Sequence, residues 1–214
     1  MSRYFPRIKM CGMTRKEDID YAMALGVDAI GLIFYKGSKR AVSIEKAKGL
    51  LKDIPVFMST VAVIVNPTAD EVWQIMQELP IQWLQFHGDE TEAFCRQFRI
   101  PYIKAIPASS KNEVLELMSQ YQTASAFLLD TPAESLYGGT GISFDWSNVP
   151  AKTLKPVILA GGLTANNIQQ AINQVSVLAV DVCSGIEQSP GIKDHDKMFQ
   201  FVNALRGNYE YRAS

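Results

Sequence analysis

Two periodicities alternate along the chain. Short runs of β-branched and apolar residues recur, and between them apolar residues return every third or fourth position. The runs predict strands at Arg7–Cys11, Ala29–Phe34, Thr60–Val65, Trp83–Phe86, Tyr102–Ile106, Ala126–Asp130, Val157–Ala160 and Leu178–Val182. They begin roughly 20 to 31 residues apart, about the length of one βα unit. The intervening stripes predict helices: Ile19, Ala22 and Met23; Val72, Ile75, Met76 and Leu79; Val114, Leu117, Met118 and Tyr121; Met198, Phe199, Val202 and Leu205. Thr14-Arg-Lys-Glu17, Thr68-Ala-Asp-Glu71 and Ser110-Lys-Asn-Glu113 fit the capping box, in which two side chains satisfy orphan amides at a helix start. Ser43 and Thr164 suit simple N-caps, His195 a helix start, and Gly26 stands where the first helix should stop.

Strands that alternate with helices and are covered on both faces belong to parallel sheets. Right-handed crossovers leave an open doubly wound sheet or a closed barrel. The first strand is followed by CGMT rather than GxGxxG, and no P-loop occurs. A count of eight and a length of 214 residues, near the lower limit for the fold, favour a single α/β domain over residues 1–214: a (β/α)8 TIM barrel with a closed, parallel, eight-stranded sheet. The longest interruption, Thr131–Phe144, carries Gly138-Gly139-Thr140-Gly141. It reads either as a lid or anion-binding backbone, or as a plain glycine-rich excursion.

Composition narrows the function classes. Apolar residues make up 47% of the chain and charged residues 20%, enough to build a core. Lys plus Arg number 21 against 22 Asp plus Glu, a net charge of −1, so the chain has no general pull toward nucleic acid or anionic membrane. Three scattered cysteines suit a reducing compartment better than a disulfide framework. Two histidines, with no CxxC or HExxH, argue against a zinc site. The beginning, MSRYFPRIKMCGMT, has no apolar signal region, and no stretch is long enough to span a membrane. The expectation is a cytoplasmic protein.

Barrel chemistry lies at the C-terminal ends of the strands. Those ends carry Cys11, Asn66, His87, Asp130, Gly161-Gly162 and Cys183-Ser184-Gly185. Glycine-bearing turns after strands seven and eight suit phosphate, because backbone amides can approach an anion closely there. Their bland reading is two tight turns. Cys11 is either a base, if its thiol is made acidic, or a small buried hydrophobe. Asp130 is either the matching acid or a loop cap. Lys36, Lys39 and Arg40 form either a solvated charge run or a carboxylate clamp. His87 suits orienting a neighbour, and Cys95, within EAFCRQF, suits packing.

IKMCGMT, GLIFYKGSKRAVS, VIVN, QFHGDE, LLDT, YGGTGISFDW, ILAGGLTANNI, AVDVCSGIE and PGIKDHDK occur in this order across about residues 7–198. This ordered set is similar to phosphoribosylanthranilate isomerase. The resemblance implies an Amadori rearrangement in L-tryptophan biosynthesis: N-(5-phosphoribosyl)anthranilate becomes 1-(2-carboxyphenylamino)-1-deoxyribulose 5-phosphate, with no metal or organic cofactor. It implies Cys11 as general base and Asp130 as general acid, with Arg40 on the anthranilate carboxylate. Phosphate would lie on amides near Gly161, Gly162, Ser184 and Gly185. Asp181 would support the sugar or the base, and His87 has a supporting role. The expected partner is a small phosphosugar, and the expected state is a monomer, with a homodimer as the alternative.

The chain departs from the pattern twice. Lys36 stands where the family usually has proline, and Cys183 stands where it has the first serine of the phosphate loop. Two other readings compete with this one. One is a histidine-pathway isomerase, whose strand one would end in aspartate; the other is a non-catalytic scaffold, which has no need of Cys11, Asp130 and Arg40 together.

Overall fold

A computed structural model describes residues 6–132 and 145–207. Eight parallel strands close into a barrel in chain order: β1 Arg7–Cys11, β2 Ala29–Ile33, β3 Ser59–Ile64, β4 Trp83–Phe86, β5 Tyr102–Pro107, β6 Ala126–Asp130, β7 Val157–Leu159 and β8 Ala179–Val182. The ring shuts where β1 pairs with β8, from Arg7 opposite Ala179 to Met10 opposite Val182. Helices follow the strands: α1 Lys16–Ala24, α2 Ile44–Leu50, α3 Ala69–Glu78, α4 Glu92–Arg96, α5 Lys111–Ser119, α6 Ile168–Gln174 and α7 His195–Arg206. None of the described helices is long and apolar enough to cross a membrane.

Alternation along each strand divides the core in two. Ile8, Met10, Ile30, Leu32, Phe86, Leu129 and Val180 face outward and pack on helix residues such as Ile19, Val72, Ile75, Val114 and Phe201. Inside the ring, Ile103, Ala105, Leu128 and Ile158 pack together, with Val61, Val63 and Cys11 nearby. Full burial of each large aliphatic side chain contributes about 1.5–3 kcal/mol, so this double-faced layer holds the strand ends in fixed places.

The strand predictions hold to within a residue at each end. Thr68 forms the complete capping box of α3, and Ser43 caps α2 by accepting from the Lys46 amide. Ser110 accepts from the Glu113 amide, but the Glu113 carboxylate turns to the Ser109 and Ser110 hydroxyls, so that box is half made. Two expected caps are corrected. The Thr14 hydroxyl donates to the Gly191 carbonyl, and α1 begins at Lys16. At α6, Asn167 takes the cap position, and its side chain accepts from the Thr164 amide.

Two further differences concern whole elements. A 3-10 turn, Trp146–Asn148, stands among the described residues where a helix before β7 was expected. Beyond β8, a 3-10 turn at Ser184–Ile186 leads into an antiparallel hairpin, β9 Glu187–Ser189 and β10 Ile192–Lys193. The sequence offered no strand signal there, because the segment is polar and only a few residues long. Gly138-Gly139-Thr140-Gly141, for which both a lid or anion-binding backbone and a plain excursion were open, lies outside the described residues.

Candidate active site

The ends of seven strands, all but β5, converge on a cavity of about 340 Å³. Cys11, Arg40, His87, Asp130, Gly161, Gly162, Asp181 and Ser184 line it. Gly185 does not; it borders an adjoining polar cleft of about 380 Å³, shared with Gly162, Ser184 and Lys197. Apart from Asn66, the strand-end residues singled out in the sequence are therefore brought to one mouth, with Gly185 in the adjoining cleft.

On the β1 side, alternation sends Lys9 and Cys11 inward. Lys9 is buried and donates to the Asp181 carboxylate at 2.8 Å across the β1–β8 seam. Burial pulls the Lys9 pKa down, but Asp181 and Cys11 outweigh it and hold the ammonium firmly charged. Asp181 Oδ1 has no hydrogen-bond partner among the described residues, and neither does Oε1 of the neighbouring buried Gln85. Both acceptors belong to residues that line the cavity.

The Cys11 and Cys183 side chains act on each other, and the two thiols are pushed apart in acidity. Cys183 and burial raise Cys11 well above the usual thiol range, against the pull of Lys9. Cys183 is lowered to about 7 by the Cys11 side chain, with Lys193 and Arg40 helping to overcome burial. Lys193 Nζ lies 3.8 Å from the Cys183 sulfur and donates to the Cys183 carbonyl at 3.1 Å.

Asp130, at the tip of β6, stands on the other side of the mouth, with β7 and β8 between it and β1. Its Oδ1 accepts from the Thr131 amide at 2.7 Å, and its Oδ2 lies 3.4 Å from His87 Nε2. Gln85 Nε2 approaches His87 Nδ1 at 3.3 Å. The His87 loop is itself fixed by Glu90, which accepts from the Asn66 and Gly88 amides. Buried Lys104 of β5 pairs with Glu90 at 3.0 Å.

The loop after β2 holds its shape without proline. Ala41 donates to Ser38, and Val42 donates to Ile33. Arg40 is then gripped side-on by Glu187, with Nε to Oε1 at 2.9 Å and Nη2 to Oε2 at 2.7 Å. Glu187 also receives Lys193 at 3.0 Å. This grip engages Nε and one face of the guanidinium fork, leaving its end available for a second planar anion.

Sequence reasoning missed Lys9, Gln85, Glu187 and Lys193. Lys9 and Gln85 had a usable signal: each is a polar residue at an inward position of a predicted strand. Glu187 and Lys193 had none, because the hairpin that turns them inward was not legible.

A family model described as N-(5'-phosphoribosyl)anthranilate isomerase matches residues 8–204. The N-(5'-phosphoribosyl)anthranilate isomerase of Legionella pneumophila strain Paris is 55% identical over 201 residues, covering 94% of this chain and 97% of that one. The crystal structure of phosphoribosyl anthranilate isomerase from Thermotoga maritima superposes with a TM-score of 0.87 at 34% identity, covering 94% of this chain and 99% of that one. A phosphoribosyl anthranilate isomerase structure in complex with reduced 1-(o-carboxyphenylamino)-1-deoxyribulose 5-phosphate matches with a TM-score of 0.81 at 32% identity, covering 94% and 99%.

Proposed function

The chain belongs to the N-(5'-phosphoribosyl)anthranilate isomerase family, and from that premise we propose how its own residues divide the work. The enzyme isomerises N-(5'-phosphoribosyl)anthranilate in tryptophan biosynthesis. In our reading, the whole chain serves as one catalytic domain, with Asp130 as the general acid and Cys11 as the general base.

Asp130, in its protonated form, delivers a proton to the ribose ring oxygen and opens the furanose to a Schiff base. His87, 3.4 Å away, orients that carboxyl group. Cys11, in its thiolate form beside the Lys9 ammonium, takes the C2 proton. The resulting enolamine tautomerises to the aminoketose. Arg40 offers its free edge to the anthranilate carboxylate. The amides near Gly161, Gly162, Ser184 and Gly185 receive the phosphate, and Asp181, which lines the cavity, supports the sugar or the base.

The observation that carries this reading is the presence of Cys11 and Asp130 on two sides of one cavity. Each group is expected to contribute on the order of 10²–10⁴-fold. The test follows the decay of anthranilate-type fluorescence, with substrate generated in situ and spontaneous hydrolysis subtracted. Cys11→Ala and Asp130→Asn should each lose activity by that order while staying folded. Full turnover in Cys11→Ala removes the thiol from the mechanism. The reading also makes the protein a cytoplasmic monomer.

A further inference from the structure

Cys11 and Cys183 stand one step beyond Met10 and Val182, the last paired residues of β1 and β8. Neighbouring strands lie about 4.8 Å apart, inside the Cα separations that a disulfide spans. Both side chains continue the inward ladder that begins with the Lys9–Asp181 pair, and both line the cavity. A Cβ built on Gly12 would lie 3.0 Å from the Cys183 sulfur, and one built on Gly31 would lie 2.8 Å from the Cys11 sulfur, so glycines leave room for both. The two cysteines are unbonded, and the remaining one, Cys95, is fully buried in α4.

We propose that Cys11 and Cys183 form a covalent modification site, in which a hydroperoxide oxidises Cys183 and Cys11 resolves the product into a disulfide. The charged groups facing the pair support this chemistry. Lys9 and Asp181 approach from the strands, Arg40 from the loop after β2, and Lys193 with Glu187 from the hairpin. With Cys183 lowered to about 7, it carries thiolate at neutral pH and is the nucleophile of the pair. Its sulfur attacks one peroxide oxygen; the O–O bond breaks, and hydroxide leaves and is protonated to water. The Cys11 sulfur then attacks the sulfenic sulfur, the S–S bond forms, the S–O bond breaks, and a second water carries off the Cys11 proton. One hydrogen peroxide and two thiols give one disulfide and two waters. Resistance of Cys95 is expected, since burial pushes its thiol up to about 12.

The bond itself does not depend on the catalytic reading, but the loss of turnover does, since it rests on Cys11 being the base. The test treats the wild-type enzyme with hydrogen peroxide at neutral pH, then measures intact mass, maps the peptides and assays turnover before and after dithiothreitol. The expected result is a loss of about 2 Da, a Cys11–Cys183 cross-linked peptide, and an activity loss of at least about tenfold that dithiothreitol reverses. Cys183→Ser, normalised to its own untreated rate, should show neither the mass loss nor a recoverable inactivation. Unchanged thiols, terminal oxidation of Cys11 without a cross-link, or the same mass loss in Cys183→Ser each overturn the proposal. A cross-link that leaves turnover intact overturns Cys11 as the base and leaves the modification site standing.

Discussion

At the scale of single residues, position on a strand decides what a side chain can do. Cys11 and Asp130 were legible because reactive residue types stood at predicted strand ends, where barrel chemistry is assembled. Their partners were not equally legible: Cys183 drew notice as part of a glycine-bearing strand end and as a substitution for serine, although it is the thiol made acidic by Cys11, Lys193 and Arg40. Glycine at 161 has a sharper meaning than a tight turn. Its φ is +79°, and a Cβ there would lie 2.4 Å from Thr131 Oγ1, 2.7 Å from the Thr131 amide and 2.9 Å from Asp130 Oδ1. Gly161→Ala should therefore cost about 1–3 kcal/mol of stability and push the Asp130 carboxyl group off its place. Denaturant unfolding and turnover check the two parts; a variant with native stability and native rate would contradict the assigned crowding.

At the scale of elements, the strands were readable to within a residue because both periodicities are strong. The β9–β10 hairpin was not, since its inward charges pair only after the chain has folded back over the mouth. Glu187 is the product of that fold-back, and it holds Arg40. Glu187→Gln should loosen the guanidinium and raise KM several-fold while kcat changes less, the pattern of a lost substrate anchor. Burial pushes the Glu187 carboxyl up, but Arg40 and Lys193 overcome it and lower its pKa below the ordinary Glu value. A carboxylate that releases its proton more readily when folded contributes stability above the unfolded Glu range. That contribution is lost as pH falls through the lower, folded value. Wild type should thus lose more stability than Glu187→Gln between pH 5 and 3, estimated on either side of the ordinary Glu pKa of about 4.3; parallel losses in urea titrations would deny the pairing. Within β5, Lys104→Met strands Glu90 as a buried charge and should destabilise the protein by about 3–5 kcal/mol in urea unfolding.

At the scale of the whole molecule, ring closure makes the site. The ends of β1 and β8, more than a hundred residues apart in sequence, meet at one mouth because the two strands pair. Strand count and the absence of nucleotide motifs pointed to closure, whereas the depth at which Lys9, Gln85 and Asp181 polarise the ring interior could not be read without it. The monomer proposed above predicts that light scattering returns the 23.8 kDa mass of one chain, and twice that mass would deny it. The central claim is that the ring holds acid and base on separate sides of the sugar, acting in separate steps. Turnover of C2-deuterated against ordinary substrate in two slowed variants tests it directly. In Cys11→Ser, removal of the C2 proton limits the rate, so deuterium should slow turnover several-fold. In Asp130→Asn, ring opening limits the rate, so deuterium should make no difference. A full isotope effect in Asp130→Asn with none in Cys11→Ser would contradict the assignment.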